Sequence, residues 1–257
     1  MKPIVVRKVR IGEGMPKICV PIVGLTREQI LEEGKNLASY PAEVAEWRVD
    51  FYADSDVTEQ VVKTAGLLRE ILGDMPLLFT FRTKKEGGEK EILGEQYRNL
   101  NLAAASSGFV DLLDVEAFFD EALAREIIDG VHQAGKKVIV SNHDFHRTPD
   151  REEIVRRLAY MRDLGGDIPK IAVMPQSAED VLTLLSATLD ASKNHMDCPI
   201  ITMSMGIMGL ASRLSGELFG SALTFGTVGK ASAPGQIPAE QLREILEVLR
   251  GGETVRR

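Results

Sequence analysis

The chain has 257 residues, 44% of them hydrophobic, so it can bury a sizeable core within the length range that single α/β barrels occupy. A formal charge of −7 argues against a nucleic-acid or anionic-membrane surface, because both reward a basic face, and it leaves any anionic ligand to be met by a few placed arginines. Cys19 and Cys198 are the only cysteines, with no CxxC spacing for zinc or a redox pair, which fits a reducing compartment.

At the start, "MKPIVVRKVRIGEG" is basic, but its apolar stretch is too short and interrupted for a signal peptide. "IVVRKVRIGEG" reads instead as a hairpin that closes the bottom of the fold. Short β-rich runs then recur about every 30 residues, each followed by a charged segment of helical period, as successive βα units require. They are "KICVPIV" (17–23), "AEVAEWRVD" (42–50), "PLLFTFR" (76–82), "FVDLLDVE" (109–116), "KKVIVSNH" (136–143), "PKIAVM" (169–174), "PIITMSM" (199–205) and "ALTFGTV" (222–228). Between them lie amphipathic helices such as "TREQILEEGKNLASY" and "REEIVRRLAYMRDLG". Eight such units close most naturally into a (β/α)8 TIM barrel, and no linker divides residues 1–257, so one catalytic domain is expected. An open doubly wound sheet is the competing topology, but "PIVGLTREQ" after the first strand lacks the GxGxxG of a dinucleotide fold. No stretch reaches the roughly 20 apolar residues of a membrane span, and a cytoplasmic protein is expected.

In a barrel, alternate strand residues point inward, and those near the C-terminal ends line the site. That parity turns Glu46, Arg48 and Asp50 inward, with Thr80 and Arg82, Asp114 and Glu116, Ser141 and His143, and Lys170 with Ala172. Five strands thus aim ionisable groups at one place, where Glu46, Glu86, Asp114 and Glu116 can balance Arg48, Arg82 and Lys170. Lys170, in the otherwise apolar run "DIPKIAVMP", reads either as a strand-end lysine that snorkels to water or as a buried amine. Buried near arginines, it would favour the neutral, nucleophilic form that attacks a carbonyl to give an iminium.

An iminium acidifies the adjacent carbon, and turnover then needs a base. His143, on the neighbouring strand, can remove a proton and return it to a leaving hydroxyl. Glu86, in "RTKKEGGEK", is its expected carboxylate partner, with Glu116 or Asp114 in reserve. A metal reading of His143 and His146 finds no HExxH or His/Cys cluster, so no metal is expected. "KEGGE" lacks the GxxxxGK[ST] phosphate loop, and its glycines suggest a mobile loop. "ASAPGQIP" (231–238) reads either as an ordinary surface loop or as a lid in which Ser232 and Gln236 reach ligand hydroxyls on closing. Arg213 reads either as a helix-surface charge or as a two-pronged grip for a carboxylate.

"EWRVD", "FTFRTKKEGG", "SNHDFHRTP", "IPKIAVMPQS", "ITMSMG" and "SAPGQI" occur in an order and spacing that resembles type I 3-dehydroquinate dehydratase (3-dehydroquinase) over essentially the whole chain. The resemblance implies a homodimeric barrel that dehydrates 3-dehydroquinate to 3-dehydroshikimate in the shikimate pathway of aromatic amino acid biosynthesis, without metal or diffusible cofactor. It further implies Lys170 as the Schiff-base lysine, His143 as general base and then acid, and Glu86 as the group that positions it. Glu46, Arg48 and Arg82 match substrate contacts, Arg213 the carboxylate site, Ser232 and Gln236 the lid, and Met203 and Met205 an apolar wall. Pro21 departs from members with serine there, offering neither hydroxyl nor backbone N–H. Two other readings are a lysine-dependent aldolase for sugar phosphates, weakly echoed by "SMGIMG", and a metabolite-binding barrel without catalysis, which the presence of both Lys170 and His143 disfavours.

Overall fold

Strand residues here are apolar on both faces at their start and polar on one face at their end, and that grading orders the molecule. The computed structural model describes residues 2–229 and 232–251. A hairpin, β1 (Ile4–Val6) and β2 (Val9–Ile11), precedes eight parallel strands: β3 (Lys17–Ile22), β4 (Val44–Arg48), β5 (Leu77–Thr80), β6 (Leu112–Glu116), β7 (Lys137–Asp144), β8 (Ile168–Val173), β9 (Ile201–Ser204) and β10 (Leu223–Phe225). They run β10-β3-β4-β5-β6-β7-β8-β9, and a parallel bridge between Ile200 and Ser221 joins the outer pair, so the ring is nearly closed. The expected TIM barrel is what forms, with each strand within a few residues of the run that marked it.

Helices α1 (Arg27–Leu37), α2 (Thr58–Leu72), α3 (Gly94–Ser106), α4 (Glu121–Gln133), α5 (Arg151–Asp163) and α6 (Ala178–Asp190) cross between strands on the outside. Two short helices, α7 (Leu210–Leu214) and α8 (Gly216–Phe219), serve the seventh unit, and α9 (Ala239–Leu249) the eighth. Local chemistry starts several of them. Thr26 and Gln29 form a reciprocal capping box on α1, and the Asp120 and Asp150 carboxylates cap α4 and α5.

Parallel strands covered by helices are buried on both faces, and the two faces build separate cores. Outward residues such as Ile18, Val20, Trp47, Phe79 and Ile171 pack beneath the helices, with Trp47 edge-on to Phe79 at 5.9 Å. Inward residues Cys19, Val44, Leu78, Leu112, Ile139, Ile168 and Ile201 fill the lower barrel, and hairpin residues Val6 and Ile11 join that cluster as a plug. With the lower barrel packed in this way, the cavity opens at the strands' C-terminal ends.

Asp111 fastens the plug. Its carboxylate accepts from Arg7 Nε at 2.7 Å, Arg69 Nη1 at 2.8 Å and the Leu77 amide at 2.9 Å. Asp111→Ala strands those donors, one of them a partly buried backbone N–H, and is expected to cost about 1–3 kcal/mol of stability. Urea denaturation checks the loss, and kcat should stay at the native value because the cavity lies at the opposite end of the barrel.

Candidate active site

The inward parity read from the sequence holds in the folded chain, and the strand register stacks the polar residues. Arg48, Thr80 and Asp114 stand in one row across β4–β6, and Glu116, Ser141 and Lys170 in the next across β6–β8. Lys170 is 3% exposed, so it does not snorkel out to water. Its Nζ donates to Asp114 Oδ2 at 3.1 Å and lies 4.7 Å from the centre of the Phe225 ring.

Asp114 is the junction of the cluster. Its Oδ1 accepts from Arg82 Nη2 at 2.7 Å and from the Ser141 hydroxyl at 2.6 Å. Burial by itself would raise this carboxyl, but the charges of Arg82 and Lys170 and the hydrogen bonds outweigh it and bring it to about 2. Arg82 Nη1 reaches Glu116 Oε1 at 2.9 Å, and Glu116 also accepts from the Thr83 amide and hydroxyl. Arg82 is thus at the cavity wall with both terminal nitrogens engaged by protein. Arg48 forks onto Asp50 at 2.7 Å, a carboxylate outside the four expected to balance the cations, while Glu46 adds its charge nearby and accepts a hydrogen bond from Thr80 at 3.0 Å.

His143 and Glu86 meet above this layer. Glu86 Oε2 accepts the His143 backbone amide at 2.9 Å and stands 2.9 Å from the ring Nδ1, while Oε1 accepts from Asn142 Nδ2 at 3.1 Å. Burial holds the imidazole well below its ordinary 6.5, helped by the positive charges of Arg82, Lys170 and Arg48. Burial, reinforced by Glu116, pushes Glu86 up to about 8, with Arg82 and Asn142 pulling the other way. Both shifts resist charge in a dry site, so the ring is neutral at pH 7. A proton on Nδ1, donated to Oε2, leaves the lone pair on Nε2.

Arg213 is 2% exposed and not a surface charge. Its Nη2 donates to the Pro234 carbonyl at 3.0 Å, its Nη1 lies 3.6 Å from Met203 Sδ, and its buried Nε has no partner. Among the described residues no carboxylate pairs with it, and burial lowers it to about 10, which still leaves it charged at neutral pH. One cavity gathers Lys170, His143, Glu86, Glu46, Arg48, Arg82, Met203, Met205, Arg213, Ser232 and Gln236, whereas Asp50, Asp114, Glu116 and Ser141 stand behind its lining. Ser232 and Gln236 bond to each other at the rim, and the Ser232 carbonyl accepts from Arg48 Nη1 at 3.3 Å.

Three features escaped the sequence reading. Phe225 follows from the parity of the last strand. Asn142 does not, because its parity points it outward; it reaches Glu86 where β7 runs past the rim and the 83–88 loop folds over it. The glycines of that loop also have a packing role that the sequence did not show. Gly87 takes φ +83° against Phe145, and a Cβ on Gly88 would stand 1.9 Å from the Arg82 carbonyl oxygen, so both positions permit close packing. His146 is exposed and away from the cavity, and the described residues contain no His/Cys/Asp/Glu group with metal-binding geometry. Pro21 is in register with Glu46 on the inner face.

A closed parallel barrel with its ionisable residues at the C-terminal ends of the strands defines a (β/α)8-barrel enzyme. Comparison with known proteins makes this specific. Residues 18–253 match the family model of type I 3-dehydroquinase. The 3-dehydroquinate dehydratase of Klebsiella pneumoniae is 52% identical over 246 residues, covering 96% of this chain and 98% of the relative, and that of Clostridium botulinum is 53% identical over 250 residues, covering 97% and 98%. The crystal structure of the type I enzyme from Clostridium difficile superposes with a TM-score of 0.94 at 48% identity, over 97% of this chain and 98% of that one. The chain belongs to the type I 3-dehydroquinase family.

Glu86 gives a stability test with a definite sign. Its carboxyl is at 4.5 in an unfolded chain and about 8 here, so the folded state holds the extra proton between those values and native stability falls as pH rises through them. Glu86→Gln carries no ionisation. It is expected to gain in Tm relative to the native chain above pH 8, and to lose that advantage below pH 4.5. Thermal unfolding across pH checks this, and a constant difference would refute the assignment.

Proposed function

We propose that this barrel dehydrates 3-dehydroquinate to 3-dehydroshikimate through a Schiff base on Lys170, with His143 moving the proton and Glu86 holding the imidazole. Membership of the type I 3-dehydroquinase family supplies the reaction, a hydro-lyase step of the shikimate pathway. The observation that carries the residue assignment is one cavity holding a buried lysine amine, a neutral imidazole and a buried guanidinium without a carboxylate partner.

The substrate carboxylate replaces the Pro234 carbonyl as partner of Arg213, which selects a keto acid and fixes the ring. Lys170 attacks the ring ketone, and loss of water gives the iminium, whose positive charge lies beside Asp114. His143 takes the proton from the carbon next to the iminium, and the electron pair is held as an enamine. The enamine expels the β-hydroxyl, which leaves as water with the proton from His143. Hydrolysis of the remaining iminium returns the amine, so the net change is loss of one water. Glu46, Arg48 and Arg82 contact hydroxyls and supply positive field, Met203 and Met205 form the apolar wall, and Ser232 and Gln236 close the rim.

The same reading includes a single catalytic domain over residues 1–257, a homodimer, and a cytoplasmic setting. Free thiols at Cys19 and Cys198 are consistent with a reducing compartment, and none of the described helices is long and apolar enough to cross a membrane. Sedimentation tests the dimer.

Lys170→Ala is expected to abolish turnover. His143→Ala should still form the adduct but lose roughly 100- to 10,000-fold in kcat. Borohydride treatment with substrate, followed by mass spectrometry, reads both: an unmodified Lys170 peptide in the native enzyme would remove the covalent mechanism. Arg213→Met should raise KM by roughly 30-fold or more, because it removes one partner of a buried charge pair.

A further inference from the structure

One buried carboxylate in the upper barrel has no part in the reaction as drawn. Asp50 is 0% exposed, in the short turn Val49–Phe51 that follows β4. Its Oδ1 accepts from Arg48 Nε at 2.8 Å and the Arg82 amide at 3.3 Å, and its Oδ2 accepts from Arg48 Nη2 at 2.7 Å and the Glu89 amide at 3.1 Å. The Arg48 contact is the two-pronged fork, which fixes the plane of the guanidinium and leaves Nη1 on the cavity side. The other two donors bracket the loop that carries Glu86, one just before it and one just after. That loop is further stapled by Lys90, whose Nζ donates to the Tyr52 and Ala53 carbonyls and to Ser55 Oγ.

We propose that Asp50 is a positioning residue: its carboxylate aims Arg48 at the substrate and, through the Arg82 and Glu89 amides, sets the loop that presents Glu86 to His143. A carboxylate is required because all four neighbours are donors; an amide would turn an NH2 toward one side and break the contacts there. The two arms act on different kinetic quantities. Misaiming Arg48 weakens substrate binding and raises KM, whereas displacing Glu86 disturbs the imidazole and lowers kcat. The inference rests on the roles assigned above to Arg48 and Glu86.

The test is a double-mutant cycle of Asp50→Asn with Glu86→Ala, read as kcat and KM. In the native background D50N should lower kcat about 10- to 100-fold and raise KM, as loss of a supporting hydrogen-bond partner typically does. In the E86A background it should lower kcat less than about 3-fold while still raising KM, because nothing remains for the loop to position. A general folding defect would instead cost the same factor in both backgrounds, and that result, or an unchanged native kcat and KM, overturns the proposal. An E86A enzyme as active as the native one would sink the role of Glu86 and with it the loop arm; the same cycle with Arg48→Ala, read in KM, then decides the other arm. Should D50N fail to fold, Lys90→Met cuts the outer staple of the loop at a site outside the cavity. It should lower kcat in the native background but not with E86A, and equal factors would overturn the loop arm.

Discussion

The site depends on the Arg82–Asp114–Lys170 contact. A carboxylate shared at 2.7 Å and 3.1 Å between the Arg82 guanidinium and the Lys170 amine lets three polar groups stand inside a nearly closed barrel, where each alone would carry a large desolvation penalty. Removing one member leaves the others buried and uncompensated, so the cluster acts as a unit. It also sets the field above it: the positive charges of Arg82 and Lys170 help keep His143 neutral.

Below that layer the barrel is filled by apolar side chains, and above it the cavity opens. The hairpin plug and the lower ring of aliphatic side chains force polar residues to the C-terminal end, where loops rather than strands complete the pocket. Two buried arginines there are treated in opposite ways. Arg48 is forked onto Asp50, whereas among the described residues Arg213 donates to a carbonyl and a thioether sulfur. Both donate to carbonyls of the 232–234 segment, Arg48 to Ser232 and Arg213 to Pro234.

The loop after β5 shows how backbone packing serves chemistry. Gly87 and Gly88 let the chain fold back against Phe145 and the Arg82 carbonyl, and this brings Glu86 over the end of β7. Burial there raises the carboxyl and lowers the imidazole, two shifts that favour an uncharged pair beside a cavity lined by charge.

Read alone, the sequence determined the eight βα units, the hairpin and the inward set of residues. It could do so because strand parity and helical period are local properties, and because a parallel sheet covered by helices writes its strands as apolar runs with polar ends. It also put Lys170, His143, Glu86 and Arg213 forward by type and spacing. Tertiary structure decided which charges pair. Asp50, two residues on, forks onto Arg48, Asp114 joins Arg82 to Lys170, and Asn142 turns toward Glu86 against its strand parity. The last two partnerships join residues 32 and 56 positions apart through strand stagger and loop path. A one-dimensional pattern fixes the face a side chain takes, whereas its partner depends on the closure of the ring.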